Sequence, residues 1–131
     1  MNVTRTFDLL DRYKELYPDK DDALAGKQDG KWVKVSTQDY LNYSNWISYG
    51  LLSLGFKKGD KIATITNNRP EWNFVDHGLA QIGIIHVPIY PTIGTEEYDY
   101  ILKHSEVKAI IISGKIIWNK ISGIIKNIQS I

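Results

Sequence analysis

Three short apolar runs in the second half of the chain constrain the fold more than any other feature. They are Lys61–Thr66 (KIATIT), Ile84–Pro88 (IIHVP) and Lys108–Ser113 (KAIIIS). Each is too short for a helix and is apolar almost throughout. That is the pattern of a strand buried on both faces of a parallel sheet. Each is followed by a stretch with helical periodicity. From about Lys61 the order is therefore β-α-β-α-β-α, which predicts an α/β fold: a mainly parallel sheet flanked by helices, with right-handed crossovers.

The helical stretches carry their own boundaries. Asn67-Asn68-Arg69-Pro70-Glu71-Trp72 opens the first, because proline is favoured in a helix's first turn, where its missing N–H costs nothing. Trp72, Val75, Leu79 and Ile82 form its apolar stripe, and Gly83 ends it. Thr95 is expected to cap a helix that runs through Lys103, with Glu96 and Glu97 at its positive end. Ile117, Ile121, Ile124 or Ile125, and Ile128 share one face of the last helix.

The first half adds a smaller annex. Phe7, Leu10, Tyr13 and Tyr17 recur at helical spacing between about Thr6 and Tyr17, and Pro18 follows. Ala23–Lys27 and Lys31–Val35 read as the arms of a β-hairpin, turned by Asp29-Gly30. Ser36-Thr37-Gln38-Asp39 begins a long helix expected to carry Tyr40, Trp46 or Ile47, Leu51 and Leu54 inward and to stop at Gly55. Residues 1–131 are expected to form a single partial domain without an internal boundary.

Sixteen basic and fifteen acidic residues leave a net charge of +1, so there is no general electrostatic case for nucleic acid as a partner. The absence of cysteine removes disulfides, thiolate catalysis and cysteine–zinc sites. The first residues, MNVTRTFDLLDRYKELYP, carry acids and no long apolar core, unlike a signal peptide. No run is long and apolar enough to span a membrane. A cytoplasmic location is the expectation. Asn2-Val3-Thr4 and Asn42-Tyr43-Ser44 match the glycosylation pattern and are read as chance.

Candidate chemistry is sparse. A phosphate loop needs glycines crowded at a strand-to-helix turn. The turns here are Asn67-Asn68-Arg69-Pro70, then IYPTIG, then Ser113-Gly114-Lys115. Only the last could hold a phosphate, and an ordinary turn explains it. His77, His86 and His104 show no i, i+4 zinc spacing. His77 suits solvent or a helix-face hydrogen bond, His86 a satisfied buried histidine, and His104 the negative end of a helix. His104-Ser105-Glu106 holds hydrolase residue types, but a triad needs convergence in space rather than adjacency. Asp19, Asp21 and Asp22 read as a solvated turn, and Arg69 as the ion-pair partner of Glu71 or a neighbour, favoured over an anion site near the helix start. Trp32, Trp46, Trp72 and Trp118 are spread over a strand and three helices among apolar neighbours, which predicts packing roles.

From Gly59 on, GDKIATITNNRPEWNFVDHGLAQIGIIHVPIYPT resembles the N-terminal region of AMP-forming long-chain acyl-CoA synthetases. These belong to the adenylate-forming superfamily, with luciferases and peptide-synthetase adenylation domains. Gly59-Asp60, Asn68-Arg69-Pro70-Glu71-Trp72, Gly83, Val87-Pro88 and Tyr90-Pro91-Thr92 fit the family pattern, as do Glu97, Tyr100-Ile101-Leu102 and Ser105. Upstream, WVKVSTQDYLNYSNWISYGLLSLGFKKGD is similar to the family's early strand and helix.

The resemblance implies an enzyme that uses ATP, magnesium and coenzyme A to turn a fatty acid into acyl-CoA through an acyl-adenylate. It also implies a larger ligase chain as partner and membrane-peripheral association of the full enzyme. The family's Ser/Thr/Gly-rich loop ending in Pro-Lys-Gly has no counterpart here; the only Lys-Gly is Lys58-Gly59. Tyr49-Gly50 is followed by Leu51-Leu52-Ser53, not by the adenine motif. The expectation is an N-terminal fragment, inactive alone, with no catalytic, cofactor-binding or metal-ligating residue. Tyr90 and Thr92 would approach the full enzyme's site without taking part in its chemistry. The alternatives are a stand-alone interaction module that forms a homodimer and a small nucleotide-binding protein.

Overall fold

Parallel strands form where the apolar runs predict them. The computed structural model describes residues 2–131, in the order α1 (Asp8–Leu16), β1 (Leu24–Gln28), β2 (Lys31–Val35), α2 (Thr37–Ser53), β3 (Lys61–Ile65), α3 (Pro70–Gln81), β4 (Ile85–Ile89), α4 (Thr95–Ser105), β5 (Ala109–Ile112) and α5 (Lys115–Ile125). These residues group into two units. One comprises the residues up to Phe56 with Arg69–Ile82; the other comprises Lys57–Asn68 with Gly83–Ile131.

In the second unit β3 lies between β4 and β5, parallel to both. Its core is Ala63, Ile65, Ile89, Tyr98, Leu102, Val107, Ile117, Ile121 and Ile128, so α5 and the residues after it deliver the face their spacing predicts, and α4 adds Tyr98 and Leu102. Asp60, just before β3, gathers the amino ends of all three strands. Its carbonyl accepts from the Ile85 amide at 2.8 Å. Its carboxylate accepts from the Lys57 amide at 2.9 Å and from Lys108 Nζ at 2.6 Å. Pro88 pairs with Thr64 on β4, an edge strand of this sheet, where a missing N–H is tolerated.

In the first unit β1 and β2 form the expected antiparallel hairpin. Asp29 (φ 49°) and Gly30 (φ 78°) supply the two positive-φ residues of its turn. Leu10, Tyr40, Leu41 and Phe74 make the core, with Leu24 and Val35 packed against it. Ser36 caps α2: its Oγ accepts from the Asp39 amide at 3.0 Å, and Asp39 Oδ2 accepts from the Ser36 amide at 3.3 Å. Asp8 is buried and accepts from the Thr4 amide at 3.1 Å, the Arg5 amide at 2.9 Å and Arg5 Nη2 at 2.7 Å.

Three expectations need correction. The inward face of α2 is Tyr40, Leu41, Ser44 and Ser48, with Ile47 and Leu51 half-buried, whereas Trp46 and Leu54 are exposed. The cause lies on α3, where Gly78 brings the helices so close that small residues must face it. A Cβ there would stand 2.7 Å from Ile47 Cγ2 and 2.8 Å from the Ser44 carbonyl oxygen, and Ser48 Oγ donates to the Gly78 carbonyl at 2.8 Å. Second, Trp32, Trp46 and Trp118 are exposed and Trp72 is half-buried, so the tryptophans do not build the cores. Third, Thr95 is the first helical residue of α4, not its cap. The preceding Gly94 donates its amide to Glu97 Oε2 at 2.7 Å, and the helix runs on to Ser105 before Glu106 turns left-handed at φ 53°.

Candidate functional site

The chain winds from β3 to β4 on one side and then returns to β5 on the other. In open parallel sheets a ligand lies where the winding reverses, beyond the carboxyl ends of the strands. Here that place is between the segment after β3, Thr66-Asn67-Asn68, and Ser113-Gly114 after β5. The two segments are stitched together. The Asn67 amide donates to Ser113 Oγ at 3.1 Å, and the Ser113 amide donates to the Ile65 carbonyl at 3.2 Å. These segments offer the hydroxyls of Thr66 and Ser113, the carboxamides of Asn67 and Asn68 and backbone amides, and they contain no histidine, carboxylate or lysine to act as a base. Of Ser113-Gly114-Lys115, the serine is spent on this clasp and the lysine side chain is exposed.

The corner after β4 is held from two helices. Tyr98, fully buried, donates its hydroxyl to the Tyr90 carbonyl at 3.1 Å, and Lys120 Nζ donates to the Pro91 carbonyl at 3.3 Å. The Tyr90 side chain is 80% exposed and that of Thr92 is also exposed. Backbone carbonyls, not the conspicuous side chains, fix this loop, as a scaffold corner requires.

The histidines are held in separate places. His86 Nε2 lies 2.8 Å from Thr64 Oγ1. His77 Nδ1 lies 2.8 Å from the Tyr40 hydroxyl and 3.3 Å from the Asn73 carbonyl, so it ties α2 to α3. The Tyr40 phenol is pushed up to about 12, first by burial and then by the Asp76 carboxylate and Tyr13. His104 is exposed and stacks on Tyr100 with ring centroids 5.6 Å apart. Ser105 Oγ donates to the Ile101 carbonyl at 2.7 Å and Glu106 lies 3.6 Å from Lys61 Nζ, so His104-Ser105-Glu106 is not a triad.

Arg69, Asp21 and Asp22 form ion pairs. Arg69 grips Glu71 at 2.9 and 2.6 Å; that hydrogen bonding holds the Glu71 carboxyl below its usual range. Asp22 pairs with Lys20 at 2.7 Å and Asp21 with Lys34 at 3.0 Å. Among the described residues no group of three His, Cys, Asp or Glu could hold a metal ion.

One cavity escaped the sequence reading. An open cleft of about 380 Å³ lies under the hairpin, walled by Val33, Val35, Tyr43, Pro70 and Phe74 with Asp39 at its rim. The Tyr43 and Phe74 rings meet at 4.9 Å. Gly26 signals it in retrospect, because a Cβ there would stand 2.8 Å from Pro70 Cδ.

Known proteins match nearly the whole chain. The family model for AMP-binding enzymes matches residues 10–130. Fatty acyl-CoA synthetase A of Dictyostelium discoideum is 31% identical over 118 residues, covering 85% of this chain and 18% of that protein. The peroxisomal long chain acyl-CoA synthetase 7 of Arabidopsis thaliana is 38% identical over 90 residues, covering 60% of this chain and 13% of that protein. The chain thus spans less than a fifth of these relatives. A crystal structure of a putative long-chain-fatty-acid CoA ligase from Rhodopseudomonas palustris superposes with a TM-score of 0.84 at 23% identity, over 98% of this chain and 31% of that one.

Proposed function

The chain belongs to the AMP-binding enzyme family, which it matches over residues 10–130, and from that premise we propose that it is the N-terminal scaffold of a long-chain fatty-acid–CoA ligase. The full ligase would join a fatty acid to AMP from ATP, releasing pyrophosphate, and then pass the acyl group to the thiol of coenzyme A. In this reading residues 1–131 are one part of the large domain, without an internal boundary, and are inactive alone.

The observation that carries the reading is the stitched crevice. At the winding reversal the Ser113 hydroxyl accepts from the Asn67 amide, and neither flanking turn has the crowded glycines that cradle phosphate. Among the described residues no three His, Cys, Asp or Glu side chains converge; in this reading the seats for ATP and its metal belong to the rest of the ligase chain. Among the described residues no helix is long and apolar enough to cross a membrane; a cytoplasmic, membrane-peripheral enzyme is the location proposed.

Titration calorimetry of the chain with ATP–magnesium and with palmitate tests this, alongside an assay for acyl-CoA. No saturable heat and no product are expected. ATP-dependent acyl-CoA formation by this chain alone would overturn the proposal.

A further inference from the structure

The outer face of α2 is built unlike a solvated helix surface. Of the seventeen residues Thr37–Ser53, Asp39 alone is charged. The outer side of the helix carries Trp46 (62% exposed) and Tyr49 (66%), with Tyr43 (40%) at its edge, where one side of its ring packs on Phe74, so that the three follow one another at i, i+3, i+6. The face is apolar, aromatic and without repulsive charge, which marks interaction surfaces.

The stripe also has a symmetry. Trp46 sits one residue from the middle of α2, with tyrosines three residues to either side and the small residues Asn42 and Gly50 four residues to either side. Two copies of such a face, related by a twofold axis with helices antiparallel, place Trp46 against the partner's Trp46. Each Tyr43 then meets the partner's Tyr49, and each Gly50 the partner's Asn42. A twofold interface must be complementary to itself in this way. Gly50 leaves room for it, since a Cβ there would meet nothing within 4 Å.

Area fits a weak dimer. At about 200 Å² per aromatic side chain, the three exposed fractions leave roughly 340 Å² of ring surface to cover. That is a little under half of the ~800 Å² that a standard interface buries per partner, the size of a weak, transient contact.

We propose that the Tyr43–Trp46–Tyr49 face of α2 is a homodimer interface whose occupant is the same face of a second copy, packed antiparallel. Light scattering of the 131-residue chain across 1–500 µM is expected to show a monomer–dimer equilibrium. Trp46→Glu is expected to abolish the dimer with an unchanged circular dichroism spectrum, whereas Trp32→Glu, on the hairpin, leaves the dimer intact. The lack of native cysteine allows a test of geometry. Asn42→Cys and Gly50→Cys chains are expected to cross-link when mixed and oxidised, but not when each is oxidised alone. A monomer at every concentration, a Trp46→Glu dimer, or cross-linking of each variant only with itself would overturn the proposal.

Discussion

A methyl group on Gly78 would come within 2.7 Å of Ile47 Cβ and Cγ2 and 2.8 Å of the Ser44 carbonyl oxygen. Alanine is the better helix former by about 1 kcal/mol, but the obstructing atoms include backbone, which cannot swing aside. Overpacking of this kind costs about 1–3 kcal/mol. Gly78→Ala should therefore lower the urea midpoint of unfolding, although the same change at an unobstructed helix position would raise it. The sequence displays this glycine in the middle of a helix without showing what it faces. For the same reason the inward face of α2 was misread. Helical spacing ranks Trp46 beside Ile47, and only the proximity of α3 decides that Ser44 and Ser48 go in while Trp46 stays out. Asp8 and Asp60 were hidden for a related reason, since their partners are backbone amides and cations that periodicity does not reveal.

At the scale of elements, the local chemistry was legible wherever a boundary depends on the residues at that boundary. Pro70 starts α3, Gly83 follows its end, and Asp29-Gly30 turns the hairpin. The cap of α2 is such a boundary. Ser36→Ala removes the acceptor of the Asp39 amide and should cost about 1 kcal/mol of stability, whereas Ser36→Asp should restore most of it. Denaturant titration followed by circular dichroism distinguishes the two. The end of α4 was less legible, because a glutamate in the left-handed conformation sends no signal ahead of the structure. The alternation of strands and helices was legible, but the order β4-β3-β5 that sets the switch point was not, and the clasp between Asn67 and Ser113 joins residues 46 positions apart.

Across the whole molecule, acid stability should report two carboxylates, one in each unit. The hydrogen-bonded Arg5 guanidinium, helped by the Thr4 and Arg5 amides, holds the Asp8 carboxyl far below its ordinary value. The Lys108 ammonium, followed by the Lys57 amide, holds Asp60 low. Depressed folded values mean that both groups stabilise the fold fully above the unfolded aspartate pKa of about 3.9. That contribution is lost as pH falls through the lower folded values. Urea midpoints should be level from pH 7 to 5 and decline below about pH 4. Asp60→Asn should be less stable at neutral pH and should show a shallower acid decline.

Pro88 has a consequence for how the sheet can grow. The Ile85 amide points at the Asp60 carbonyl, and amides along a strand alternate sides, so position 88 presents its nitrogen to the outer rim of β4. A ring carbon occupies the place of a hydrogen there, and the rim lacks a rung at that position. An incoming foreign strand finds a broken ladder on this side, which discourages polymerisation from the β4 rim. Any orderly lengthening of the sheet is thereby biased toward the β5 side, and the assembly acquires a direction from one imino acid.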